Sequence, residues 1–228
     1  MRLEDLNWMD VEKYLEHEDR LMLVTGATEQ HAYLSLLTDI KVPLALADAA
    51  SQATGVLVAP PLNFGISTYF LAYTGTLSLR ASTLGAAIED IVRSAYGHGF
   101  RRILIINGHG GNSPARSHLG EVNNSLPDLR LNWYDWWLSH SVEIVAIKHG
   151  LKPTHANWLE AFPFTIVSDL PDGEKVPPRV PSPIMDAGTA RRVYGDGSFG
   201  GPYRAGEDVM HELFAACLED ILQLLGFD

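Results

Sequence analysis

Glu29, His31 and Asp39 share the segment EQHAYLSLLTD, which follows the strand-like run LMLVT at residues 21 to 25. Carboxylate oxygens and imidazole nitrogens are donors that zinc, manganese and iron all accept. In an extended segment residues i and i+2 point the same way, so Glu29 and His31 can both reach one centre. Asp39 joins them only if the intervening loop folds back. As a carboxylate it can bridge two ions, which leaves coordination positions open for water. The alternative is an ordinary surface turn with Asp39 capping a helix from residue 42 onward.

His109 lies in IINGHGGN, residues 105 to 112, where the apolar run RRILIIN stops abruptly. Gly108, Gly110 and Gly111 let the backbone turn tightly around it. Nothing in that arrangement serves packing. A phosphate cradle is the rival reading, but the spacing is neither G-x-G-x-x-G nor G-x-x-x-x-G-K-[ST], and there is no lysine. A nucleotide-binding fold would also need an acidic residue on a following strand, which is missing at the expected distance. A third candidate region is KPTHANWLEAFP at residues 152 to 163, with His155 and Glu160. Five helical residues rotate the chain by roughly 140°, so this pair cannot share a helix face. It fits better with His155 in a loop and Glu160 in the first turns of a following helix. Trp158 and the aromatic cluster NWYDWW (132 to 137) either line a pocket or pack in the core or between subunits. His17, His98, His118, His140, His149 and His211 read as solvated or packed residues without partners.

These residues need elements to position them. Periodicity gives an amphipathic helix near residues 9 to 18, strands at 21 to 25, 55 to 61 and 101 to 107, and helices at 42 to 54, 80 to 99, 113 to 126 and 207 to 225. Pro43 is tolerated in the first turn of its helix, and Pro114 follows a capping Ser113. Strand and helix alternate, which predicts an α/β fold with a parallel sheet covered by helices on both faces. Ligands in such sheets bind beyond the carboxyl ends of the strands, where Glu29, His31 and His109 fall. Residues 169 to 206, rich in Pro, Gly and charge, read as a long excursion on the same domain, a lid or an oligomer contact. The whole chain, 1 to 228, is read as one domain.

Composition narrows the function. The chain has 17 basic and 28 acidic residues, a net charge of −11, which opposes binding to a nucleic-acid backbone. No signal-like or membrane-spanning run is visible, so a soluble cytoplasmic protein with no membrane partner is expected. The single cysteine, Cys217, rules out disulfides within the chain and cysteine-based zinc sites. Any metal must be held by His, Asp and Glu.

Taken in order, GATEQHAYLSLLTD, YTGTLSL (73 to 79), RRILIINGHGGN and HANWLEA (155 to 161) resemble the creatininase, or creatinine amidohydrolase, family over residues 20 to 167. The resemblance implies a three-layer α/β/α sandwich with a mostly parallel central sheet. It also implies a homo-oligomer, often a hexamer, and one or two divalent ions (zinc, manganese or iron) that cleave amide bonds in a small-molecule substrate. It assigns Glu29, His31, Asp39 and His109 as metal ligands, with Asp39 the bridge. Creatininase proper has a glutamate ligand two residues after the histidine of its N-G-H motif, where this chain has Gly111, and Glu160 is inferred to supply that carboxylate. Glu160 is thus ligand or base, and His155 matches the family histidine that assists proton transfer to the leaving nitrogen. The E-Q-H to T-D segment is one residue shorter than usual. Ser67-Thr68-Tyr69-Phe70 stands where many members carry S-x-E-H, and Gly110 replaces a tyrosine. Those positions shape the pocket, so the expected reaction is hydrolysis of an amide, lactam or formamide other than creatinine. The rival expectations are hydrolysis of a lactone, a cyclic ketone or a modified peptide terminus, or a binding protein of the same fold without chemistry.

Overall fold

Strands that are apolar at every position must be covered on both faces. The computed structural model, which describes residues 1–182 and 184–227, shows how this is done. Strands β1 (Arg20–Thr25), β2 (Leu57–Val58), β3 (Arg102–Asn107) and β4 (Arg130–Asp135) form one sheet in the order β2-β1-β3-β4. Every pairing in it is parallel. Leu21, Leu23, Ile103 and Ile105 face one helical layer, while Met22, Val24, Leu104 and Ile106 face the other. The first layer holds α3 (Ala81–His98) and α4 (Ser113–Ser125), with Val11 and Leu15 of α1 (Trp8–Leu15) packed beside them. The second holds α2 (Thr38–Thr54), α5 (His140–Lys148) and α7 (Glu207–Leu224). The expected three-layer sandwich is present.

The order of the strands decides where a site can form. After β1 the chain leaves to α2 on one face, and after β3 it leaves to α4 on the other. The chains that leave the paired ends of β1 and β3 therefore diverge to opposite faces and open a crevice at the switch point. Glu29 and His31 follow one of these strands and His109 follows the other.

Several elements differ from expectation. The helix expected from residue 42 begins at Thr38, so Asp39 lies inside its first turn and does not cap it. The strand expected over 55 to 61 is confined to Leu57–Val58. Strand β4 and helix α5 were not foreseen. β4 is half-buried along most of its length, so its RLNWYD lacks the continuous apolar signature of its neighbours. The excursion at 169 to 206 contains a short antiparallel ribbon of β5 (Glu174–Lys175) and β6 (Gly201–Pro202), with helix α6 (Ala187–Tyr194) between them. Among the described residues no helix is long and apolar enough to cross a membrane.

Candidate active site

Glu29, His31, Asp39, His109 and Glu160 are all buried, none more than 7% exposed, and they converge on one place. Asp39 is at the centre. Its Oδ1 lies 2.9 Å from His31 Nε2 and its Oδ2 lies 2.9 Å from His109 Nδ1. Glu29 Oε1 is 3.4 Å from His109 Nδ1, and Glu160 Oε1 is 3.8 Å from His31 Nε2. Two overlapping trios result, Glu29–Asp39–His109 and His31–Asp39–Glu160, each close enough to hold one ion. Asp39 belongs to both. A third grouping, Glu29–His31–His155, connects them, and the His31 and His155 rings lie 4.5 Å apart. Glu29 and His31 therefore reach one cluster as expected, and each belongs to a different one of the two trios that share Asp39.

The close approach of the two strand-end turns to helix α2 depends on glycine. A Cβ at Gly26 would come 2.2 Å from the Asp39 carbonyl oxygen, and one at Gly108 would come 1.9 Å from it. Neither strand end can carry a side chain there if α2 is to bring Asp39 into the crevice. The partner of that carbonyl in a regular helix would be the N–H of residue 43, which is proline and has none. Pro43 thus leaves the carbonyl clear to pack against both turns.

Hydrogen bonds set the orientation of the imidazoles. His31 Nδ1 lies 3.1 Å from its own segment's Glu29 carbonyl, and His109 Nε2 lies 3.0 Å from the Ile66 carbonyl. A carbonyl only accepts, so each of these nitrogens carries the proton and donates it. The opposite nitrogens, the ones that face Asp39, then bear bare lone pairs in the neutral ring, the form a metal ligand needs. The turn around His109 is stitched by two asparagines for which the sequence suggested no role. Asn107 donates to the His109 carbonyl (2.8 Å) and to Asp135 (2.7 Å), and Asn112 bonds the Gly26 carbonyl (3.1 Å) and the Ile66 N–H (3.1 Å). Buried polar side chains flanking a glycine turn were the available signal, since a buried amide requires partners.

Ala32 and Ala156, which directly follow His31 and His155, sit in the left-handed region at φ 51° and 52°. Each is held there by a side chain of the site. Gln30 Oε1 accepts from the Ala32 N–H at 3.1 Å, and Glu160 Oε2 accepts from the Ala156 N–H at 2.6 Å. Backbone forced into this region costs roughly 1–3 kcal/mol per residue and persists where the surroundings over-determine it.

Without a cation, protons balance the charges of the cluster. Burial pushes the Glu29 and Glu160 carboxyls up to about 7, partly offset by His109 and His31 respectively. Burial would lower the imidazoles, yet Asp39 and Glu160 hold His31 at about 10, and Glu29 and Asp39 hold His109 at about 9. Burial would raise the Asp39 carboxyl, but the two histidines outweigh it and keep it far below the usual carboxylate range. His155 goes the other way, driven well below 6.5 by burial and by His31. Glu29 Oε2, His31 Nε2 and Asp39 Oδ2 are buried and lack a hydrogen-bond partner of acceptable geometry. Three orphaned donor atoms of metal-ligating type, aimed into one cluster, fit divalent ions.

The cluster forms the floor of a cavity of about 780 Å³. Phe70, Tyr194 and Phe199 make one wall, and Trp137, Leu138 and Ile147 make another. His155 is in a loop, as expected, and Glu160 ends the short 3-10 turn Trp158–Glu160. Trp158 is fully buried in the core and does not line the cavity. Of the NWYDWW cluster, Tyr134 and Trp136 are core residues, and Trp137 reaches the cavity. Three of the histidines read as partnerless have partners, His118 with Glu89 at 2.6 Å, His149 with Glu212 at 2.8 Å and His140 with Glu143 at 3.4 Å, and none of the three lines the cavity. At Gly111, where creatininase proper has its glutamate, a Cβ would come 2.1 Å from the Ile66 carbonyl and 2.5 Å from His109 Nε2. The hydrogen bond that orients His109 occupies the space a glutamate would need.

Fold and cluster together define an α/β protein with a buried carboxylate–imidazole centre suited to one or two divalent ions. The chain belongs to the creatininase (creatinine amidohydrolase) family, whose match runs over residues 4–225, beyond the 20 to 167 carried by the sequence motifs. The creatinine amidohydrolase of Pseudomonas putida is 34% identical over 116 residues, 48% of this chain and 45% of that protein. The mycofactocin precursor peptide peptidase of Mycolicibacterium smegmatis is 28% identical over 214 residues, 88% of this chain and 83% of its own. By their names one relative is an amidohydrolase and the other a peptidase. A crystal structure of creatininase superposes with a TM-score of 0.80 at 21% identity, covering 99% of this chain and 96% of that one. A manganese form, likewise 21% identical, gives 0.78 over 97% of this chain and 96% of its own. A Zn-Zn form of a creatininase mutant, also 21% identical, gives 0.78 over 97% of this chain and 95% of that one.

Proposed function

We propose that the protein is a metal-dependent hydrolase that cleaves a C–N bond, with Glu29, His31, Asp39, His109 and Glu160 holding one or two divalent ions. The observation that carries this reading is the pair of trios sharing Asp39, with three orphaned buried donor atoms between them. Three carboxylates in so small a volume call for positive charge, which zinc, manganese or iron would supply. When bound, such an ion polarises a carbonyl and brings the pKa of a water from 15.7 towards about 7. The chain's own residues do the rest. His31 and His109 keep their lone pairs turned inward through their carbonyl partners, and Asp39 spans both positions. His155 and Glu160 are the groups assigned to the reacting atoms, with Glu160 serving as ligand or base. The apolar walls exclude water and grip the substrate.

A cavity of about 780 Å³ is roomy for a single small ring. Together with the peptidase relative, which spans most of this chain, it favours a larger amide or a peptide terminus over a small lactam. A homo-oligomer, a hexamer by family resemblance, is also proposed. The exposed apolar side chains of Trp8, Leu36, Leu77 and Val167 support it, and light scattering after size exclusion tests it. The reading itself is tested by elemental analysis of the purified protein, then by mass-spectrometric assay of amides, formamides and short peptides before and after chelation and metal return. Retained metal with hydrolysis that chelation abolishes is expected. A protein that holds none of the three metals after reconstitution and dialysis overturns the proposal.

A further inference from the structure

His31 and His109 each tie one ring nitrogen to a backbone carbonyl, whereas His155 has a different partner. Its Nε2 lies 2.9 Å from the side-chain nitrogen of Gln30. Two backbone groups decide which end of the Gln30 amide faces it. Oε1 accepts from the Ala32 N–H at 3.1 Å, and Nε2 donates to the Gly197 carbonyl at 3.2 Å. Turning the amide over would set NH2 against N–H and oxygen against oxygen. The second amide hydrogen therefore points at His155, whose Nε2 must accept it. The ring proton of neutral His155 is then on Nδ1, the nitrogen that faces the centre 3.9 Å from Glu29 Oε1.

We propose that Gln30 is a positioning residue that locks His155 as a neutral ring protonated at Nδ1, so that His155 gives a hydrogen bond to an oxygen at the centre and does not act as a base. The lock stands on the hydrogen bonds alone, while its use in catalysis rests on the hydrolase reading. A fixed N–H aimed at the centre can hold a carbonyl oxygen while charge develops on it. It cannot collect a proton at Nδ1, and Nε2 is closed by Gln30. Proton transfer then falls to a carboxylate of the cluster, with Glu160 the candidate.

The rest of the neighbourhood keeps both side chains in place. Gln30 is buried, and its backbone N–H is bonded to Thr76 Oγ1 at 3.0 Å. At Gly197, φ +106°, a Cβ would come 1.7 Å from Gln30 Oε1, so the amide fits only against glycine. The loop carrying Gly197 is pinned by Lys175, whose ammonium donates to the Tyr194 and Ser198 carbonyls and to Asp196. The Phe199 N–H bonds the His155 carbonyl at 3.0 Å. Phe70 stacks on the His155 ring at 4.9 Å, and the Phe199 ring lies 4.9 Å away, tilted. The excursion at 169 to 206 thus supplies, through Gly197 and Phe199, part of the cage that orients His155.

Long-range 1H–15N spectra of metal-free and zinc-loaded protein labelled with 15N-histidine read the ring protons directly, with His155→Ala identifying the His155 signals. The expected wild-type signature is a protonated, pyrrole-type Nδ1 and a bare, pyridine-type Nε2. In Gln30→Met, which keeps the bulk and removes the donor, a form protonated at Nε2 is expected to appear. Its kcat should fall roughly 10–100-fold with KM and metal content unchanged. Gln30→Glu, which can only accept from Nε2, should favour the reversed form. A wild-type His155 protonated at Nε2 overturns the proposal without any variant, and so does a Gln30→Met spectrum identical to wild type. If the wild-type signature is found in a protein with no hydrolytic activity, the lock survives and the hydrolase reading fails.

Discussion

The two trios that share Asp39 are built from different kinds of chain. Glu29, Asp39 and His109 come from the ends of β1 and β3 and the first turn of α2, pressed together by Gly26 and Gly108. In His31–Asp39–Glu160, by contrast, Glu160 ends a three-residue 3-10 turn that follows a loop in which Ala156 holds a left-handed conformation. The sheet fixes the first trio, since parallel strands in register deliver their ends to one crevice whatever the later chain does. Hydrogen bonds fix the second, through Glu160 to Ala156 and Asn157 to Lys152 and Gly200. A centre can thus be half architecture and half local bonding, and the two halves should fail in different ways.

The largest effect is expected where the halves meet. Asp39→Ala removes the shared ligand, so all bound metal should be lost and turnover should fall to background, read by elemental analysis and assay on the same sample. Glu160→Gln touches one trio only. A wild type that binds two equivalents should keep one in this variant, because Glu29, Asp39 and His109 are unchanged. Loss of all metal in that variant would show that the halves are not separable. On the architectural side, Asn112→Ala leaves the Ile66 N–H and the Gly26 carbonyl short of a buried partner. Each buried unsatisfied group costs about 1–3 kcal/mol, so a loss of about 3 kcal/mol is expected, a fall in Tm of roughly 10 °C. An unchanged Tm would mean that the His109 turn holds itself.

The architectural half was legible in the sequence because its signals are local. An apolar run that ends in N-G-H-G-G-N marks a strand end that presents a histidine, and E-x-H after another strand marks its counterpart. Asp39 was found as a ligand candidate while its setting was missed. Pro43 suggested a helix starting near residue 42, whereas α2 starts at Thr38 and uses the proline to free the Asp39 carbonyl. The second half left weaker traces. His155 and Glu160 stand out in the sequence and the loop around His155 is as expected, but the helix expected to carry Glu160 is only the 3-10 turn Trp158–Glu160, and what holds the pair leaves no local trace. Gln30 stands between two chosen ligands and passed unnoticed, because its partners His155 and Gly197 lie 125 and 167 positions away. No local pattern encodes a contact of that range. Strand β4 was missed for a related reason, since its aromatic and polar mixture carries weak periodicity and it pairs only with β3.

The smallest expected effect separates the halves by pH. In metal-free protein His31 and His109 are held at about 10 and about 9, above the ordinary 6.5. Their contribution to stability is therefore complete below pH 6.5 and is lost as pH rises through 9 to 10. Glu29 and Glu160, raised to about 7 from 4.5, act in the same direction over a lower window, so the metal-free protein should lose stability steadily from about pH 5 upward. Asp39 has the opposite sign, but its stabilisation is complete above 3.8 and constant across this range. A bound ion takes the place of the protons, so metal uptake should release protons and the stabilisation it confers should grow with pH. Thermal unfolding between pH 6 and 9, with chelator and with zinc, should show two curves that diverge as pH rises. Glu160→Gln should remove the part of the metal-free slope between pH 5 and 7 that Glu160 contributes, and leave the part above pH 8 that comes from His109. Parallel curves would mean that the ions and the protons do not compete for the same atoms, and the carboxylate–imidazole cluster would then not be where the metal sits.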